Sequence, residues 1–177
     1  MALAGNPIPR GIGDIKVALL TADTPGANVD VFGAKSLAWD VESTSDQQTG
    51  DNSVIAVVRN PKTLTGSITM GSVCLTALAV MVGGAVVPSG TGSTELNTLD
   101  ESSTAGVVYF QATGTTNSQS ASGEGYQAVL KKLLVVSGPN EEMAIDAWDE
   151  PSLDFEGISI SGVLLSRIHQ ETYTVAA

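Results

Sequence analysis

The stretch from Thr63 to Met70 constrains the fold more than any other. Thr63, Thr65, Ser67 and Thr69 alternate with Leu64, Gly66, Ile68 and Met70. Alternation of period two sends one set of side chains into a core and the other into water, which predicts a half-buried β-strand. Asp14 to Leu20 behaves the same way, with Ile15, Val17 and Leu19 on one face and Asp14, Lys16 and Ala18 on the other. Further strands are predicted at Val29–Phe32, Ser36–Val41, Ser53–Arg59, Val107–Phe110, Ala128–Val136, Gly162–Leu165 and Thr172–Val175. Leu153 and Phe155 share one phase, whereas Ile158 and Ile160 take the opposite one. That shift predicts a β-bulge at Glu156-Gly157.

One helix is expected. Ser72 is placed to cap it, Val73 to Val82 to form it and Gly83-Gly84 to end it. Thr76 is the main polar residue on an otherwise apolar cylinder, so most faces must be covered. A sheet is expected to cover one side and a neighbouring subunit the other. Thr24-Pro25-Gly26 and Asn60-Pro61-Lys62 read as turns. Residues 88–105 and 113–125 read as loops, and Glu141 to Glu150 as an acidic segment with one helical turn. Residues 1–13, with two prolines and several glycines, read as an N-terminal arm before a single β domain spanning 14–177. Asp40 to Asn52 is polar and acidic, and a long polar loop is predicted around 42–52. Its composition cannot support a core, so it is expected to stay disordered until it meets a partner.

No regular alternation of helices and strands is visible, which argues against a parallel α/β sheet. The predicted class is therefore mainly β, a β-sandwich or barrel-like domain with one packed α-helix.

Composition narrows the function. The 177 residues suggest one domain, and 8 basic against 19 acidic residues give a net charge of −11. Nucleic-acid-binding surfaces carry the opposite sign. Cys74 is the only cysteine, so no intramolecular disulfide can form. The first ten residues lack a basic stretch followed by an apolar run, so no signal peptide is expected and folding in a reducing cytoplasm follows. The longest apolar run, Val73 to Val87, is shorter than the roughly 20 residues of a membrane helix.

Catalytic chemistry finds little to work with. His169 is the only histidine, and no Gly-x-Ser-x-Gly elbow accompanies it. One Cys and one His cannot build an ordinary zinc site. The acidic groups at 40–51 and 146–156 lack EF-hand spacing and read as solvated faces. Gly123-Glu-Gly125-Tyr-Gln-Ala128 matches a loose dinucleotide pattern, but a polar loop precedes it and a predicted strand follows. A paired-carboxylate glycosidase would need a sugar cleft, for which aromatics at 5% are too few. No catalytic residue, metal or cofactor is expected, and the chain is read as a non-enzyme.

The order of features from Asp40 to Gly84 resembles the major tail (tail tube) proteins of long-tailed bacteriophages, the non-contractile type above all. An acidic strand leads into a loop with a Gly-Asp signature, here Thr49-Gly50-Asp51-Asn52. A strand ending at a basic residue follows (Val54 to Arg59), then a turn, the alternating strand and a short apolar helix ending in Gly-Gly. Gly125 to Val136 is similar to a later strand of that family, and Phe155-Glu156-Gly157 to a recurring step. The resemblance implies a structural virion protein whose stacked hexameric rings form the tail tube, assembled in the bacterial cytoplasm. It implies as partners further copies of the chain, a tape-measure protein and tail-tip or terminator proteins, with DNA passing through the lumen and no membrane contact. A ring of six would carry −66, six times the −11 of one chain. Like charge facing the lumen would let DNA slide without sticking. Subunit and ring contacts are then expected at Asp40, Glu42, Asp46, Gly50, Asp51, Asn52, Arg59, Lys62, Leu75 and Leu78. Two other readings are the tube of a contractile tail or related injection machine, and a monomeric β-sandwich binding module.

Overall fold

A computed structural model describes residues 10–50, 53–90, 96–101, 106–117, 125–142 and 149–170. The chain runs through β1 (Arg10–Thr21), β2 (Thr24–Asp30), β3 (Ala34–Glu42), β4 (Ser45–Gly50), β5 (Ser53–Arg59) and β6 (Thr63–Met70). The helix α1 (Leu75–Val82) follows, then β7 (Val86–Ser89), β8 (Leu96–Leu99) and β9 (Phe110–Asn117). The described chain closes with β10 (Gly125–Asn140), β11 (Ser152–Gly157) and β12 (Leu165–Gln170). The protein is mainly β, and among the described residues there is a single short helix and every strand pair is antiparallel.

Eight strands form one sheet in the order β2-β1-β9-β10-β11-β6-β3, with β12 also paired to β10. The sheet curls until its β3 end faces β1 and β9. A Cβ added to Gly114 of β9 would stand only 2.8 Å from Leu37 of β3. The enclosed side holds one apolar cluster. Ile15 and Val17 from β1, Leu64, Ile68 and Met70 from β6, Leu130 and Leu133 from β10, and Leu153 and Phe155 from β11 are all buried there. β6 thus buries the face that its sequence marks, whereas in β1 the marked face holds only through Val17: the register with β2 shifts between Ala18 and Leu20, so Ala18 is buried and Leu19 is 44% exposed.

α1 lies on the same cluster, burying Ala77, Leu78 and Met81. Its first turn differs from the expectation. The helix starts at Leu75, because Leu78 N–H donates to Cys74 O at 3.0 Å while the Ser72 hydroxyl donates to Phe32 O at 3.1 Å. Ser72 therefore ties the helix entry to the β2–β3 connection instead of capping. The exit is as expected: Gly83 takes φ 89°, and its N–H donates to Ala79 O at 3.1 Å. Leu75, Val80 and Val82 also pack against the cluster, so the chain itself covers much of the helix.

Several predicted boundaries move. Arg10 to Gly13 belong to β1, not to an arm, and residues 1–9 lie outside the described residues. The first turn sits at Ala22-Asp23, closed by the Thr21–Thr24 pair, and Thr24-Pro25-Gly26 begins β2. Both turn residues have positive φ, 48° and 64°, as a two-residue hairpin loop matching the strand twist requires. Asp23 is fastened there by Lys132, whose Nζ donates to Oδ1 at 2.6 Å and lies 4.4 Å from the Tyr109 ring centroid. Ala22 has no such help in a region that disfavours a Cβ. Ala22→Gly should raise the unfolding free energy by about 0.5–1 kcal/mol, a little less than the relieved strain because glycine also loosens the unfolded chain. Urea titration checks the sign, and a loss of stability would contradict the account.

The predicted loop at 88–105 includes the end of β7 and all of β8, which pair with each other, and residues 113–117 of the predicted loop at 113–125 belong to β9. The shift at Glu156-Gly157 is a strand end and not a bulge: β11 stops at Gly157, and the chain turns through an Ile160–Val163 bridge into β12. Gly162 lies in that turn. The expected strand at Thr172–Val175 and most of the acidic segment (residues 143–148) lie outside the described residues.

Candidate functional site

The segment predicted as a disordered polar loop around 42–52 is built as a hairpin arm. β3 and β6 pair as far as Glu42–Thr63, and the same two chain directions continue as β4 and β5 from the Ser45–Arg59 pair to Gly50–Ser53. Asn60 holds the base. Its backbone N–H donates to Thr44 O at 2.9 Å, and its side-chain amide donates to Thr44 Oγ1 at 2.9 Å and Asp46 Oδ2 at 3.3 Å. Six residues at about 3.3 Å each carry the arm roughly 20 Å beyond the sheet.

Among the described side chains, neither face of the arm is covered. Neighbouring strand residues point to opposite faces, yet Val57 is 55% exposed and Val58 60%. On β4, Ser45 to Thr49 are all exposed. Among the described side chains, none between 42 and 63 belongs to the apolar cluster. Two adjacent valines facing water on opposite sides of a ribbon mark surface that the single chain does not use.

The expected contact residues fall into three groups. Asp40 and Glu42 are exposed on β3, opposite Thr65 and Thr63, and Asp40 Oδ1 accepts the Val41 N–H at 2.8 Å. Asp46, Gly50 and Arg59 lie on the arm, and Lys62 is exposed just past its base. Asp51 and Asn52 lie outside the described residues. Leu75 and Leu78 form a separate group on α1: Leu78 is only 2% exposed, and the half-buried Leu75 packs on the same cluster. Leu78 is engaged by its own chain and offers nothing to a neighbour. Its place in an apolar helix hid this, because periodicity does not say which molecule covers a face.

Asn60 was missed as a site residue, since Asn before Pro reads as turn chemistry. The missed signal was its distance from Thr44 and Asp46, which brackets a hairpin.

Charge is unevenly neutralised. Lys16 lies 3.5 Å from Asp14 and 3.6 Å from Asp30, and these two carboxylates, Asp30 first, raise its pKa above the ordinary lysine value. Lys35 pairs with Glu150, and Lys132 with Asp23. Among the described residues, Arg59, Lys62 and Arg167 make no ion pair.

Cys74 is half-buried, with Sγ 3.4 Å from Thr76 Oγ1. Burial pushes its thiol pKa up, but hydrogen bonds to the Thr76 hydroxyl and to backbone groups of Ala77, Phe32 and Thr76 outweigh this, leaving it below the usual value. Among the described residues no group of His, Cys, Asp and Glu is arranged to hold a metal ion, and no helix is long and apolar enough to cross a membrane. No protein-family model matches the chain, and no curated protein matches it.

Proposed function

We propose that this chain is a structural subunit that acts by self-assembly, and that its assembled form is the tube of a long non-contractile bacteriophage tail. The observation that supports this is the β4–β5 arm, a ribbon with both faces in water projecting from a packed body. A two-stranded hairpin has marginal stability alone, so an arm of this length gains most when another surface covers it. The sheet order leaves β2 and β3 with one unpaired edge each, and joining subunits edge to edge removes such edges. In this reading six copies form a ring, rings stack through the arms, and the acidic balance keeps DNA from binding the lumen. Tape-measure and terminator proteins would set the length, and the product would belong to the virion.

The test begins with the purified full chain, its mass in solution and negative-stain electron microscopy. Stacked rings or hollow tubes are expected. Replacing residues 43–62 by Asn-Gly, to join Glu42 and Thr63 through a two-residue turn, should remove assembly and leave the body folded, because none of the described side chains removed belongs to the cluster. A protein that stays monomeric at high concentration, with tape-measure and tail-tip partners added, would sink the reading in favour of a monomeric β-sandwich binding module.

A further inference from the structure

The sheet forks at β10. Its first half, Gly125 to Leu130, pairs with β12, and its second half, Leu133 to Asn140, pairs with β11. Both partners sit along the same edge of β10, since β9 occupies the other. Between them the chain turns back, held by Ile158 N–H to Lys132 O at 2.8 Å and Lys131 N–H to Leu164 O at 3.0 Å. The branches diverge and leave an open groove of about 590 Å³, lined among others by Val41, Pro61, Lys62, Val163, Leu165 and Arg167. β12 pairs only with β10, so among the described residues no strand occupies its outer edge.

Two features specify an occupant. A free strand edge accepts an extended backbone. Lys62 and Arg167, both exposed, place two cations at the groove with no ion-pair partner among the described residues. An extended anionic segment fits both. β4 is such a segment: it pairs only with β5 among the described residues, and it carries Asp46 four residues beyond the exposed Glu42 that precedes it in the acidic 40–52 stretch. Its six residues equal the six of β12. A chain's own β4 continues the β3–β6 ladder away from the sheet, so the occupant must come from another copy.

We propose that this groove receives the β4 edge of a second copy, which adds as a strand to β12 while Lys62 and Arg167 face Glu42 and Asp46. The inference rests on the self-assembly reading and names the surfaces that meet. Arm and groove are different patches, so the contact is head-to-tail and propagates into rings or filaments.

The full-length Lys62→Glu/Arg167→Glu variant should need about tenfold more protein to assemble, the factor two exposed charge pairs can carry together. Adding Glu42→Lys and Asp46→Lys to the same chain should restore assembly. Circular dichroism keeps misfolding apart from lost contact. As an independent readout, Gln48→Cys with Ile168→Cys in a Cys74→Ser background should yield a ladder of disulfide-linked copies on oxidation. Wild-type assembly with an unaltered charge-reversal variant and no ladder would overturn the groove contact and leave the self-assembly reading intact. A wild-type protein that never assembles would overturn that reading first, and this inference with it.

Discussion

Gly66→Ala should lower the unfolding free energy by about 3 kcal/mol, the upper end for overpacking, and Gly66→Val should leave little folded protein at 37 °C. Glycine inside a strand usually weakens it, so alanine there is ordinarily neutral or stabilising. Gly66 reverses this. It sits in the middle of β6, paired with Trp39 of β3 on one side and Phe155 of β11 on the other. A Cβ would stand 2.2 Å from Ala38 O and 2.6 Å from Phe155 Cζ. The carbonyl belongs to the paired backbone of β3 and cannot withdraw without opening the β3–β6 ladder. The Phe155 ring lies over the glycine, an aromatic covering the gap that a missing side chain leaves. Two further methyl groups in valine have nowhere to go, against a total stability of about 5–15 kcal/mol for an ordinary domain. Urea denaturation of the alanine variant decides the matter: a change under about 1 kcal/mol would mean that β3 yields more readily than its pairing suggests.

β6 was legible because its alternation is chemical: Leu64, Ile68 and Met70 are apolar, large and buried, and threonine and serine separate them. β9 was not, for a physical reason. Its residues Gln111 to Thr116 are small or polar, a composition shared with loops. Backbone pairing to β1 on one side and β10 on the other makes them a central strand. Their smallness serves the curl, since Gly114 leaves the space that Leu37 approaches from across the sheet. Local composition cannot report such a non-local demand. The same limit applies at Glu156-Gly157, where a change of phase marked a strand end and not a bulge.

The arm shows the converse error. Ser45 to Gly50 lacks apolar residues, so no period could reveal a strand, and its hydrogen bonds run to β5, which was recognised. Two predicted segments needed only to be seen as partners. Of the expected contact residues, those on β3 and the arm are exposed as a surface role demands, whereas Leu78 shows that an apolar helix in a small domain is first covered by its own core. Arg167 carried no sequence signal. It matters only through the fork at β10, which brings β12 alongside the base of an arm that begins more than a hundred residues earlier.

Phe155→Ala should lower the unfolding free energy by about 3–5 kcal/mol, the usual range for removing a buried phenylalanine. Of the three phenylalanines, Phe32 is 76% exposed, so Phe110 and Phe155 supply the buried rings. They meet edge to face, with centroids 6.4 Å apart and planes at 88°. Phe110 stands at the start of β9 and Phe155 in the middle of β11, so their contact spans β10 and fixes the curvature of the sheet across it. Truncating either ring leaves a cavity whose walls are strands paired on both edges, and such walls collapse poorly. For a chain of this size each kcal/mol moves the midpoint by about 2–4 °C, so a fall on the order of 10 °C is expected in calorimetry. The double variant should lose less than the two single losses together, by the roughly 0.5–1.5 kcal/mol that an edge-to-face pair carries beyond its buried area. Strict additivity would show that the rings fill space independently, and the curvature would then rest on the small residues of β9 alone.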